Sequence, residues 1–376
     1  MSQGDRERLD RACEGSLERA CERVSVTGRP RAARPSLRGG VLSEVASGSG
    51  SQGTPFRLAG PPTLSRSTVD RYEQVRTDPA RLAKLWATGR VILLDEKGRT
   101  PVGAGATTLA TRPAVRIADE APPDALLLGE HDGVGYWAVR RAARLREGVV
   151  SPDSAWGLWT GAASEDGEEW HDLRTVGALL DDTSAGLYTT AVGLTSWHFR
   201  AGFCANCGSP TERTNAGWAT HCTGCGREEY PRTDPAVICL VHDDTGVNGA
   251  NVLLARQPIW PKERYSVLAG FVEAGESLEA CVAREIAEEV GISVTGVRYL
   301  GSQPWPFPRS IMVGFTAVTE AGAELRPADG EIEEARWVSR TDLRGALDAG
   351  GDIPGLKLPG PTSIARLMLA GWAAAD

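Results

Sequence analysis

The sequence predicts an α/β protein: an α/β sandwich preceded by a small metal ribbon and an α+β unit. Three observations carry that prediction. From Ala236 onward, short apolar runs alternate with helix-period segments. Just before that stretch stand two Cys-x2-Cys pairs, with 14 residues between Cys207 and Cys222. The chain of 376 residues exceeds one ordinary domain, and its 41% apolar and 24% charged residues are those of a globular protein. No apolar run approaches the ~18 residues of a membrane span, and the N-terminus has no apolar h-region, so neither membrane partner nor secretory leader is expected. A net charge of −8 speaks against a duplex-DNA binder.

Residues 1–65 are expected to be a disordered tail. Through Gly40 they hold nine Arg and no Lys against six Asp/Glu, followed by Pro-, Gly- and Ser-rich sequence. Such composition buries too little apolar surface to offset chain entropy, with at most a fraying helix over 9–26. Residues 66–200 form the α+β unit. Arg90–Leu94 reads as a strand, and the runs 125–128 and 136–139 flank an Asp132-Gly133 turn as a hairpin. Residues 179–199 carry apolar residues at helical spacing.

Residues 201–230 form the ribbon. A Cys-x2-Cys knuckle brings two thiolates together from one tight turn, and Gly208 and Gly226 follow where such turns favour glycine. Cys204, Cys207, Cys222 and Cys225 therefore read as one structural Zn²⁺ site per chain, closed by four protein ligands. Reduced or redox-active thiols are the alternative. With only Arg213 and Arg227 nearby, the ribbon is expected to clamp the flanking domains together rather than to bind DNA. Cys239 and Cys281 fit no metal spacing and read as small buried hydrophobes, and Cys13 and Cys21 fit none either.

Residues 231–376 form the sandwich. Strands are expected over 236–241, with 251–255 returning as its partner, and at 266–268, 297–300, 311–318 and 335–338. Helices are expected over 278–290 and 363–373. The first helix has Ser277 as N-cap and a buried stripe of Val282, Ile286 and Val290. Glu285, Glu288 and Glu289 lie at i, i+3, i+4 on another face. Six glutamates and one arginine between Gly270 and Ile292 repel one another without a counterion, and carboxylate oxygens are what hard divalent cations select. Three glutamates alone would be a solvated acidic face, so the wider spacing decides.

That spacing, G-x5-E-x7-R-E-U-x-E-E-x-G-U with U apolar, is met at every position from Gly270 to Ile292. Its seven fixed residues coincide by chance on the order of once in 10⁸ starts. Here the chain resembles the Nudix hydrolase family. A second stretch, Ser302-Gln-Pro-Trp-Pro-Phe-Pro-Arg-Ser310, holds Trp305 and Phe307 on a proline-stiffened ribbon able to stack on a planar ring. Alone it would read as a connector with a core tryptophan. In the order zinc ribbon, Tyr230-Pro231-Arg232-Thr233-Asp234-Pro235, acidic box and this stretch, the chain is similar to the NADH pyrophosphatase subfamily, also described as NAD-cap hydrolases.

The resemblance implies an α/β/α sandwich with a mixed sheet and hydrolysis of the diphosphate of NADH or NAD⁺ to nicotinamide mononucleotide and AMP. NAD-capped RNA is a further implied substrate. It implies more than one Mg²⁺ or Mn²⁺ per site, held by Glu285 and Glu289, with Glu288 as ligand or water-orienting base. The Ala269 carbonyl and Glu331 would complete the set, with Glu333 and Glu334 as alternatives to Glu331. Phe271 and the ribbon Gln303, Pro304, Trp305, Pro306, Phe307, Pro308, Arg309 and Ser310 would line the substrate pocket, with Tyr230, Ala365 and Arg174 beside it. Arg284 is expected to pair with Glu276 and hold the loop. Where some relatives carry a carboxylate before the ribbon tryptophan, Gly217 precedes Trp218. A homodimer in the cytoplasm is the implied setting. The alternatives are an enzyme directed mainly at capped RNA and a nucleotide sensor without catalysis.

Overall fold

A computed structural model describes residues 53–141, 145–149, 161–164 and 167–375. The expected helix over 9–26, with Cys13 and Cys21, lies outside the described residues. The described residues begin before the expected boundary at residue 66, at residue 53. Phe56 is buried among Ile238, Leu254 and Trp372 of the sandwich, and Asn248 Oδ1 accepts from its backbone N–H at 2.8 Å. An aromatic anchor and a few backbone hydrogen bonds order 53–65 despite their proline- and glycine-rich composition.

The first unit holds a mixed sheet in the order Arg112–Pro113, Arg90–Leu94, Val134–Arg140, Leu126–His131, and the expected hairpin is its last pair. The helix Asp182–Arg200, capped by Asp181, buries Leu187, Tyr188 and Ala191 against it. A further helix, Pro79–Ala87, escaped the periodicity reading. It announces itself only by Asp78 at the N-cap and Pro79 at the first position.

The ribbon is a three-stranded sheet of Thr211–Thr214, Ala219–Cys222 and Glu228–Glu229. Gly208 and Gly226 take φ of +74° and +72°, as the knuckles require. The ribbon docks on the first unit. Trp218 Nε1 donates to Leu127 O at 2.6 Å, Arg213 Nη1 to Asp124 O at 2.8 Å, and His198 Nε2 to Gly217 O at 2.7 Å. Gly217 has φ +94°, and a Cβ there would stand 2.4 Å from Leu126 Cδ2, so this packing admits no side chain before Trp218. The expected clamp between domains lies elsewhere. Ser65 Oγ donates to Ser302 O at 2.6 Å, and Trp305 and Phe307 pack on the first unit's core.

The sandwich sheet runs Thr295–Trp305, Ser310–Thr319, Asp234–Asp243, Asn251–Arg256, Glu334–Ser339. Leu268–Phe271 pairs the central strand outside that path. The central strand lies parallel to Ser310–Thr319 over its full length, from Asp234↔Ser310 to Asp243↔Thr319. Its other side is shared. Asn251–Arg256 touches it only at His242↔Val252, and Leu268–Phe271 takes the first half, from Ala236↔Phe271 to Cys239↔Leu268. The expected 236–241/251–255 pair is thus displaced to the far end, which opens the near end for the acidic loop. Alternate residues face opposite layers, as period two requires. Ile238 and Leu240 pack on the helix Ile364–Ala374, and Val237, Cys239 and Val241 on Leu278–Val290. The helix Arg340–Asp348, capped by Ser339, was not anticipated because its sequence is largely polar.

Candidate active site

The acidic helix spans Leu278–Val290, as its caps predict: Ser277 Oγ accepts from Ala280 N at 3.2 Å, and Gly291 turns the chain away at φ +74°. Burial of Val282, Ile286 and Val290 fixes its rotation. That rotation carries Glu289 inward, where only 3% of it is exposed. Glu289 Oε2 is buried with no hydrogen-bond partner among the described residues. Burial, then the charges of Glu285 and Glu331, push its carboxyl up to about 9.

Glu285 lies across Gly270. A Cβ at Gly270 would stand 1.9 Å from the Glu285 carboxyl carbon, so the glycine that opens the box makes room for a carboxylate rather than for a turn. Burial raises the Glu285 carboxyl as well, against the pull of Arg284, with Glu288 and Glu331 adding repulsion. Glu288 is the most exposed of the three, at 62% of its side chain, and reaches Arg284 Nη1 at 3.1 Å.

Arg284 ties this loop together. It donates to Glu276 from Nε at 2.8 Å and Nη2 at 2.9 Å, to Glu285 Oε1 at 2.9 Å and to Phe271 O at 3.0 Å. The Glu276 carboxyl is drawn down to about 2, chiefly by that bond. The expected Arg284–Glu276 pair is present, and Glu285 shares it.

Of the three downstream carboxylates, Glu331 joins the cluster and the other two do not. Glu331 acts on both Glu285 and Glu289. Its loop is fastened by Ala328 N to Glu289 O at 2.8 Å and Arg326 N to Val290 O at 2.8 Å. Glu333 pairs with Arg256, and Glu334 lies beside Tyr265. Ala269 stands in the strand beside Gly270, opposite Ile238.

Mutually repelling, partly buried carboxylates around an unpartnered oxygen are costly unless a cation joins them, so this donor set fits hard divalent cations. The four cysteines are the only group among the described residues whose ligand atoms all lie within 4.8 Å of one another. The wider spread of the glutamates suits ions that keep waters and take up phosphate oxygens. The cysteines fit zinc: Cys204–Cys225 and Cys207–Cys222 sulfurs are 3.7 and 3.4 Å apart. A tetrahedron with Zn–S near 2.3 Å places sulfurs about 3.8 Å apart.

The ribbon Gln303–Ser310 is the tip of a β-hairpin. Trp305↔Ser310 and Pro304↔Ile311 close it, and Pro306, Phe307, Pro308 and Arg309 make the turn. Trp305 and Phe307 meet edge to face at 4.9 Å, and the Arg174 guanidinium lies 4.1 Å over the Phe307 ring. Arg174 thus reaches the tip from the first unit, its pKa lowered by burial. Arg309 Nε donates to Asp234 Oδ2 at 2.7 Å and holds the turn to the central strand. Sequence reasoning gave Asp234 no role, although it stands within the same Tyr230-to-Pro235 stretch. Phe271, 36% exposed, flanks the acidic loop.

Gln303 departs from its expected role. It is fully buried, its Oε1 accepts from Leu64 N at 3.2 Å and its Nε2 donates to Thr362 O at 3.0 Å. Both ends of its amide are engaged by backbone, so it rivets three segments and lines no pocket. Ala365 is likewise buried, at 1% exposure, in the first turn of the last helix. Tyr230 is 60% exposed on the surface and donates to Glu228 at 3.2 Å.

Residues 232–355 match the NUDIX domain model, and residues 200–230 match the NADH pyrophosphatase zinc ribbon domain. The chain is 45% identical over 329 residues to the "NAD-capped RNA hydrolase NudC" of Mycobacterium bovis, spanning 86% of this chain and 98% of that protein. A protein of the same name from Pseudomonas aeruginosa is 39% identical over 245 residues, 65% of this chain and 76% of that one. Among solved structures, a NUDIX hydrolase from Nitrosomonas europaea aligns with TM-score 0.30 and 23% identity, over 37% of this chain and 78% of that one.

Proposed function

The chain belongs to the Nudix hydrolase family, in its zinc-ribbon NADH pyrophosphatase branch, and on that premise we propose that it hydrolyses the diphosphate of NADH and NAD⁺. The products are reduced or oxidised nicotinamide mononucleotide and AMP, and the same cut removes NAD caps from RNA 5′ ends. One observation carries the reading: Glu285, Glu289 and Glu331 share one field around the unpartnered Oε2 of Glu289. Glu285, Glu289 and Glu331, with the Ala269 carbonyl, would hold Mg²⁺ or Mn²⁺. When bound, such ions neutralise the diphosphate and lower the pKa of an attacking water. Glu288, exposed and outside the buried pair, takes the proton. Arg284 fixes the loop so that Glu285 faces Gly270. Trp305, Phe307 and Arg174 present flat surfaces for a nucleotide base or nicotinamide.

Zinc in the four-cysteine ribbon stays structural. A homodimer is part of the proposal, with the exposed Tyr230 offered toward a partner subunit. A cytoplasmic setting is also proposed, because Cys-x2-Cys pairs that serve as metal ligands rather than disulfides suit a reducing compartment. The test is chromatography of nucleotides released from NADH, NAD⁺, ADP-ribose and diadenosine polyphosphates, with and without divalent ions. AMP released from NADH only with the ions present is the expected result. Undiminished turnover by Glu289→Gln would remove Glu289 from the chemistry.

A further inference from the structure

The end of the sandwich sheet that leads into the acidic loop also carries the hairpin tip, and the start of the central strand lies between them. On one side Asp234 is level with Ser310, the first strand residue after the tip. On the other side Ala236 is level with Phe271, the last residue of the strand that enters the acidic loop. The two flanking strands stand about 10 Å apart, two ordinary strand spacings. A dinucleotide held by a ring at the tip and by its diphosphate at the carboxylates must match that gap.

Asp234 fixes the tip twice. Its backbone N–H donates to Arg309 O at 2.9 Å, and its Oδ2 accepts from Arg309 Nε at 2.7 Å. Its Oδ1 accepts from Arg232 Nη2 at 3.2 Å, so both carboxylate oxygens are engaged and the side chain is held in one orientation. Only 28% of the Asp234 side chain and 32% of that of Arg309 are exposed. A partly desolvated, charge-assisted bond of this kind is stronger than a neutral one. The next residues reach the acidic loop. Pro235 O accepts from Val272 N at 3.1 Å. Phe271 O accepts from Arg284 Nη2 at 3.0 Å, and Arg284 Nη1 donates to Glu285 Oε1 at 2.9 Å. One short run of contacts therefore links the ring-bearing tip to the Glu285 carboxylate.

The tip has a competing support. Trp305 and Phe307 pack on the core of the first unit, and the Arg174 guanidinium of that unit lies 4.1 Å over the Phe307 ring. Without the Asp234–Arg309 bond, the turn is held by its two strands and by the first unit. Its rings are then free to follow that unit away from the acidic loop. A misplacement of about 1 Å far from the chemistry can cost about 10²-fold in rate.

We infer that Asp234 is a positioning residue for the hydrolysis: through Arg309 it sets the ring-bearing tip at the distance from the acidic loop that brings the diphosphate onto the carboxylates. The inference rests on the proposed NADH hydrolysis and deepens it. It gives Arg309 a task without substrate contact, as the partner through which Asp234 acts.

The test is steady-state hydrolysis of NADH by Asp234→Ala, Asp234→Asn and Arg309→Ala, with hydrogen exchange followed by mass spectrometry on the same preparations. Asp234→Ala should lower kcat at least about tenfold while KM stays within about threefold, because each half of the substrate still finds its own contacts. Asp234→Asn keeps an acceptor for Arg309 Nε and should recover to within about threefold of the native protein. Arg309→Ala should match Asp234→Ala, and the double variant should fall no more than about twofold further, because the two side chains act as one unit. Amide exchange over 305–310 should quicken at least about tenfold in Asp234→Ala, with exchange over 278–290 unchanged. A kcat for Asp234→Ala within about twofold of native would overturn the inference. So would additive losses in the double variant, which would make Arg309 a substrate contact in its own right. Exchange that is unchanged at the tip, or that quickens equally in the acidic helix, would overturn it whatever the activity. If the native protein lacks NADH turnover, the proposed activity fails, and the exchange rates still decide whether Asp234 holds the tip.

Discussion

At the scale of single residues, Glu289 decides most. Its carboxyl stands at about 9 against an ordinary 4.5, so the folded state holds a proton that the unfolded state releases. Without divalent ions, stability should therefore fall as pH rises from about 4.5 through 9. Glu289→Gln should flatten that fall and melt higher than the native protein at pH 8 in chelator. Mn²⁺ should stabilise the native protein increasingly as pH rises, since binding displaces the proton. Thermal melts at several pH values check both signs. Turnover in Glu289→Gln should drop at least about 10²-fold with zinc content unchanged. Gly270→Ala tests the same pair from the other side, because its Cβ would enter the Glu285 carboxylate. It should lose turnover with little loss of zinc. The sequence made the glutamates legible through their spacing. It did not reveal that Glu289 is buried, since the stripe of Val282, Ile286 and Val290 says which face packs but not how far the neighbouring loops close over the next one. Nor did Gln303 declare itself, because a glutamine between prolines reads equally as a ligand contact or as a buried rivet.

At the scale of elements, the long periodic segments were legible and the short or shared ones were not. The helix Leu278–Val290 follows its predicted bounds, because Ser277 and Gly291 cap it by side-chain bond and positive φ. The partner of the central strand was misjudged. A four-residue strand, Leu268–Phe271, displaces the sequence neighbour over the first half, and such non-local competition leaves no mark in local pattern. The hairpin tip was legible in its stiffness. Its anchors through Gln303 were not, since Leu64 and Thr362 are brought to it from distant parts of the chain. Gln303→Ala should cost about 1–3 kcal/mol, the penalty for stranding Leu64 N–H and Thr362 C=O, while KM for NADH stays within about threefold. Denaturant melts with steady-state kinetics decide it: a tenfold rise in KM at unchanged stability would make Gln303 a substrate contact after all.

At the scale of the whole molecule, the order of parts was legible and their docking was not. The zinc ribbon was expected to join the domains. Instead it leans on the first unit through Trp218, Arg213 and Gly217, and residues 53–65 with the hairpin tip bind that unit to the sandwich. Composition had placed 53–65 in a tail, because a single aromatic among prolines and glycines carries no periodicity. Stripping zinc with a thiol-reactive chelator should lower the melting temperature and shift Trp218 fluorescence, while Mn²⁺ binding persists. Simultaneous loss of Mn²⁺ would mean that the ribbon supports the catalytic half directly. The central claim concerns the acidic cluster. It is tested by Mn²⁺ titration, followed by electron paramagnetic resonance at pH 8, of the native protein and a Glu285→Gln/Glu289→Gln variant, with AMP release from NADH read in parallel. The account expects more than one Mn²⁺ per native chain, with binding and AMP release lost together in the variant. Full Mn²⁺ occupancy or undiminished AMP release in that variant would contradict it.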